Sequence, residues 1–237
     1  MTPEPGAGKD DPMSAADRAA ERPGGIVGES RWPMAGVVLA AMVLTYLLPE
    51  DLRLGPRWVL PLIEGLLLVA VVVGDPGQIT RRSALLRGLS IGLVAVLVFD
   101  ALLTTGLLID DLLKGGPETN SASALLSAGA TVFVSNNIAF SLLFWELDNG
   151  GAAARAHHLP RHPDLAFPQQ LNPDLAPPGW RPRFVDYLYL GFTNALAFSP
   201  TDTMPLVPWA KIAMAVQSMI SLAILGLVVA RAVNVFT

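Results

Sequence analysis

The sequence predicts an all-α membrane protein, and three observations predict it. Hydrophobic residues make up 52% of the 237-residue chain and charged residues only 15%, with a mean hydropathy of +0.48. Soluble domains carry about 25% charge. The charges are concentrated between the apolar runs, the pattern left by repeated passage through lipid. The alternating ten-residue segments of a β-barrel are absent.

Residues 1–31 are rich in Pro, Gly, Ala and mixed charge and hold no apolar run, so they read as a disordered tail. They lack the basic start and apolar region of a signal peptide, so the first apolar segment must target the chain and stay in it.

Residues 32–146 hold four apolar segments: 34–49, 58–74 with Glu64, 88–109 with Asp100, and 122–145 with Asn136 and Asn137. A helix needs about 20 residues to cross the hydrocarbon, so the first two would cross with little tilt. The fifth segment is 212–230. Intramembrane acids are costly, so Glu64 and Asp100 could face a cation pathway or take up a proton. Alternatively, Asp100 could bond Thr104 one turn on, and Asn136 and Asn137 could bond neighbouring helices.

Residues 147–183 form a Pro/Gly-rich loop, and loops of such length are usually functional or disordered. Its "HHLPRH" holds all three histidines, His157, His158 and His162. Pro160 interrupts the i,i+4 helical pair, so the bland reading is a solvated loop and not a zinc site. In "WELD" (145–148), Trp145 reads as an interfacial anchor and the acids as solvated helix-end groups. Trp180, Tyr187 and Tyr189 likewise read as anchors.

Residues 184–237 begin with "FVDYLYLGFTNALAF" (184–198), broken by "SPTD" (199–202). Fifteen helical residues rise about 22 Å, short for a span and suited to a half-helix that enters the membrane and turns back. Half-helix, polar turn and full helix make a re-entrant hairpin, which is allowed at membrane depth only where protein or water shields it. Ser199, Thr201 and Asp202 could offer oxygen ligands to a hard cation. One chain supplies one such loop, so a pore would need a symmetric oligomer.

The stretch 189–231 resembles the pore region of tetrameric potassium channels: pore helix, filter, inner helix. Laid without gaps, Asp202 falls on the aspartate after the filter, Pro205 on the following proline, Trp209 on a tryptophan and Lys211 on a basic residue. The filter departs, because Ala197–Thr201 contains neither glycine that aims carbonyls at the ion, and Pro200 fixes φ and removes a donor. "FWELDNGG" (144–151), "PGWRPRFVDYLYLGFTNALAFSPTD" (178–202) and "ARAVNVF" (230–236) make the whole chain similar to a family of bacterial inner-membrane proteins without an established activity.

Together these imply five spans and a re-entrant hairpin, or six spans if 184–199 crosses. The implied function is ion conduction through a non-standard filter, by a homotetramer in a lipid bilayer. Its ion pathway would comprise Ser199, Thr201, Asp202, Thr193, Asn194 and Asp100, with Pro200, Pro205 and Trp209 shaping the pore turn. A non-conducting scaffold or partner subunit and a small-solute transporter are the alternatives. No cofactor is implied beyond a monovalent cation.

With four helices before the loop, and with 184–205 re-entrant so that Lys211 is counted, twelve of the sixteen Lys and Arg share a side with the N-terminus, and Arg53, Arg57, Lys114 and Arg231 lie opposite. The positive-inside rule puts the N-terminus and pore mouth in the cytoplasm. Potassium channels hold the equivalent loop outside; ionotropic glutamate receptors invert it. Without cysteines there are no disulfides or thiolate chemistry. No basic patch interleaved with aromatics suggests nucleic acid, and no hydrolase, metalloprotease or phosphate-loop motif suggests an enzyme.

Overall fold

Each of the five long apolar segments is a helix in the computed structural model, which describes residues 26, 28–53, 55–115, 121–157, 162–196 and 202–236. They are α1 (Trp32–Leu47), α2 (Val59–Gly74), α3 (Ala84–Lys114), α4 (Ala122–Leu147) and, last in the chain, α8 (Pro208–Phe236). Between α4 and α8 lie three shorter helices, α5 (Ala152–His157), α6 (Pro168–Leu171) and α7 (Phe184–Leu196). Among the described residues the fold is all-α apart from two 2-residue antiparallel ladders. β1 (Glu29–Ser30) pairs with β2 (Gln78–Ile79), and β3 (Leu165–Ala166) with β4 (Met204–Pro205).

Helices α3, α4 and α8 are each long and apolar enough to cross a membrane. Helices α1 and α2 have 16 residues each, about 24 Å at 1.5 Å per residue. Local chemistry sets the ends. Ser121 accepts the N–H of Ala124 to start α4, as an N-cap hydroxyl should. Gly115, with φ 77°, returns its N–H to Asp111 and closes α3. Pro33 and Pro208 sit in first turns, where a missing N–H costs no helical bond.

Helix α4 is the central element, packed against α1, α3, α7 and α8. Two apolar clusters mark the ends of the bundle. At one end Met34, Leu93, Phe144, Trp145, Leu165 and Phe184 are buried together. At the other, Leu52, Leu108, Leu125, Val132 and Ile224 are buried together. Helices α1, α3 and α8 therefore begin at the first end, and α2 and α4 return to it.

Residues 28–31, assigned from the sequence to a disordered tail, are part of the fold: they hold β1 and the buried Arg31. Residues 1–25 lie outside the described residues.

Candidate functional site

The end of the bundle where α4 stops carries a polar cap built from residues 28–31, 75–90, 145–157 and 162–183. Its inner charges are buried: Arg31, Asp75, Glu146, Asp148 and Arg155 are each at most 7% exposed. Buried charges persist only when paired and hydrogen-bonded, and these are. Arg31 reaches Asp75 at 3.2 Å, and Arg87 meets Glu146 at 2.6 Å while also donating to its carbonyl at 2.7 Å. Ser90 donates to the other Glu146 oxygen at 2.7 Å. Gly151, with φ +88°, leaves the room: a Cβ there would stand 2.0 Å from Arg87 Nη1. Arg155 donates to the carbonyls of Trp145 and Asp148 at 2.8 and 2.7 Å, and its guanidinium lies over the Tyr187 ring at 4.9 Å.

This cap corrects the solvated reading of "WELD". Trp145 is 2% exposed and donates from Nε1 to Glu29 at 3.0 Å. Asp148 takes the hydroxyl of buried Tyr187 at 2.5 Å, the N–H of Leu165 at 3.1 Å and an amide N–H of Asn149 at 2.9 Å. Trp145 and Tyr187 are thus core residues, not interfacial anchors, while Trp180 is partly buried against Phe167 and Tyr189 is exposed. The reason is that the proline-rich stretch folds back over the end of α4 and dries it. His157 is drawn in too, its Nε2 2.7 Å from the carbonyl of Thr80. His158 lies outside the described residues. Among those described, no cluster of three His, Asp or Glu converges for a metal.

Both ends of segment 184–205 are fastened to this cap. The N–H of Phe184 donates to Glu29, and its ring packs edge-on against Trp145 at 5.9 Å. Met204 and Pro205 pair with Ala166 and Leu165, the N–H of Leu206 donates to the Asp164 carbonyl at 2.9 Å, and Trp209 Nε1 reaches the Asp164 carboxylate at 3.4 Å. Burial raises the Glu29 carboxyl above the usual carboxylate range, against the bonds from Trp145 and Phe184 and the charge of Arg155.

Away from the cap a second polar group ties α7 to α8. Asn194 donates to the Gln217 side chain at 2.7 Å and to the carbonyl of Met214 at 2.9 Å. Gln217 donates back to the carbonyl of Gly191 at 3.0 Å, and Ser218 donates to that of Asn194 at 3.1 Å. Gly191 is needed for contact with α4, because a Cβ there would lie 2.1 Å from Ser141 Oγ and 2.8 Å from Asn137 Oδ1. Asn136 bonds Thr105 of α3 at 3.3 Å, the helix-to-helix role expected of it. Beside it, Asp100 accepts from Thr45 of α1 at 2.6 Å and from Thr104. Glu64 of α2 is fully buried, and among the described residues nothing bonds either of its carboxyl oxygens.

The pathway residues expected from the sequence therefore separate. Asn194 joins the α7–α8 network. Thr193 bonds back to the carbonyls of Tyr189 and Leu190 at 3.0 and 3.1 Å. Asp100 belongs with α1 and α2, Asp202 is exposed, and Pro205 and Trp209 bind the cap. Ser199, Pro200 and Thr201 lie outside the described residues. Sequence reasoning missed Glu29, Arg31, Asp75, Arg155 and Gln217. Gln217 was visible as a lone amide in an apolar run; the cap charges had no comparable signal. No family model, curated protein or solved structure matches the chain.

Proposed function

We propose that the chain conducts a monovalent cation through a re-entrant loop in a bacterial inner membrane. The observation that carries the reading is the fastening of Phe184 and of Met204–Pro205 to one buried cap. A crossing segment would separate its ends by about 30 Å of hydrocarbon. Helix α7, of 13 residues, rises about 20 Å. The Asn194–Gln217 bond sets its far end beside α8, nine residues into that helix. Helices α7 and α8 then descend together from the cap, the order of pore helix and inner helix in the channels that 189–231 resembles.

Five spans follow if α1 and α2 cross untilted. Four chains would supply four loops, and the unburied apolar side of α8 (Ile212, Met219, Leu222, Val229) supplies area for lipid and neighbouring copies. A small-solute transporter is favoured by one observation, the buried Glu64 whose carboxyl oxygens bond nothing among the described residues.

Single cysteines at Ser199, Thr201 and Val207 in this cysteine-free chain test the hairpin by impermeant labelling from each side. Labelling from the cap side alone, slowest at Ser199, is expected, followed by potassium flux in liposomes and cross-linking to tetramers. Labels near 184 and 203 from opposite sides would end the pore reading.

A further inference from the structure

A cavity of about 480 Å³ opens at the cap beside the α2–α3 turn, within the range of small-ligand sites. Four arginines line it, Arg31, Arg81, Arg82 and Arg87, against two acids, Asp75 and Glu146. The acids are already committed. Asp75 Oδ2 takes Arg31 and the N–H groups of Thr80 and Arg81 at 3.1–3.2 Å, while Glu146 takes Arg87 and Ser90. Arg31 and Arg87 are neutralised by these pairs. Among the described residues the Arg81 guanidinium bonds only the carbonyl of Gly74, at 3.2 Å, and the Arg82 guanidinium bonds nothing. Two guanidinium charges therefore face the cavity without a counterion.

The α3 start adds to this field. Ser83 makes no side-chain cap bond and no acid sits in the first turn, so the positive end of the helix dipole is uncompensated where Ser83 and Ala84 line the cavity. Leu85, between the lining residues Ala84 and Leu86, and Val73, two residues before Asp75, are 72% and 73% exposed, as suits side chains that meet acyl chains. A basic pocket at the end of membrane helices, with apolar flanks, matches an acidic lipid headgroup.

We propose that this cavity binds a phosphate-bearing anion, supplied in the membrane by the headgroup of an acidic phospholipid. The guanidinium forks supply paired donors for phosphate oxygens, and the apolar flanks receive the chains. Inorganic phosphate offers the same oxygens without the chains. The site does not depend on conduction by α7 and α8.

The test uses the full chain, delipidated in uncharged detergent, with its thermal midpoint followed during titration by phosphatidylglycerol, phosphatidylcholine or inorganic phosphate. Phosphatidylglycerol is expected to raise the midpoint saturably and phosphatidylcholine to leave it unchanged. The R81Q/R82Q double variant alters exposed side chains; it should keep the lipid-free midpoint and bind phosphatidylglycerol roughly 25-fold more weakly, about fivefold for each arginine. K211Q, outside the cavity, should bind as the parent does. If phosphate alone raises the midpoint and displaces the lipid, the anion site stands with free phosphate as its ligand. Equal binding of both lipids, or full affinity in R81Q/R82Q, overturns the proposal.

Discussion

Tyr187 donates its phenolic hydrogen to Asp148 across 2.5 Å, and neither residue has any exposed surface. The bond joins the start of α7 to the end of α4, beneath Arg155. Asp148 also holds Leu165 at the head of β3. One carboxylate thus links α4, α7 and the cap.

Tyr187→Phe keeps the ring and removes one bond to a buried charge, which costs about 1.5–3 kcal/mol. Unfolding in detergent should show that loss, and trypsin should cut sooner after Arg183. An unchanged midpoint would remove the bond from the account of how α7 is held.

Gly191→Ala should separate α7 from α4. The new Cβ meets Ser141 Oγ at 2.1 Å and Asn137 Oδ1 at 2.8 Å, on rigid helices. Overpacking of this kind costs about 1–3 kcal/mol. Adding Ser141→Ala removes the nearer atom, so the double variant should recover part of the loss. Strict additivity of the two changes would argue against the contact.

Glu64→Met should stabilise the bundle. The parent side chain is buried with both oxygens unbonded, and removing such a group returns about 1–3 kcal/mol. If Glu64 serves ion movement, flux should fall in the same variant whose midpoint rises. A lower midpoint would mean that the carboxyl has a structural partner.

Glu29 should make stability depend on pH. Burial raises its folded carboxyl above the ordinary value of 4.5. Its contribution is therefore complete below that ordinary value and is lost as pH rises through the higher folded value. As pH rises above the ordinary value of 4.5, the parent should lose stability relative to Glu29→Gln. Hydrogen exchange at Phe184 should speed up with pH more steeply in the parent than in Glu29→Gln. Parallel pH curves for the two proteins would contradict the assignment.

Much of the architecture was legible as composition. The segments at 34–49, 58–74, 88–109, 122–145 and 212–230 are helices because long apolar runs in lipid must satisfy their backbone internally. The break expected at Ser-Pro-Thr-Asp (199–202) falls largely outside the described residues, which include α7 as far as Leu196. The expected bond of Asp100 to Thr104 lies four residues apart on one helix, so periodicity reaches it. The cap was not legible. Glu29 meets Trp145 from 116 residues away, and Arg155 meets Tyr187 across a stretch whose Pro and Gly content suggested solvent.

The sequence by itself determined the helical class and the five apolar helices. Each follows from local hydropathy and charge, which need no knowledge of neighbours. The tertiary structure alone decided that the acids of "WELD" are buried, that Asn194 chooses Gln217, and that two arginines are left unpaired beside the α2–α3 turn. Burial and pairing of a polar group depend on which distant side chain arrives beside it, and only the folded chain sets that distance.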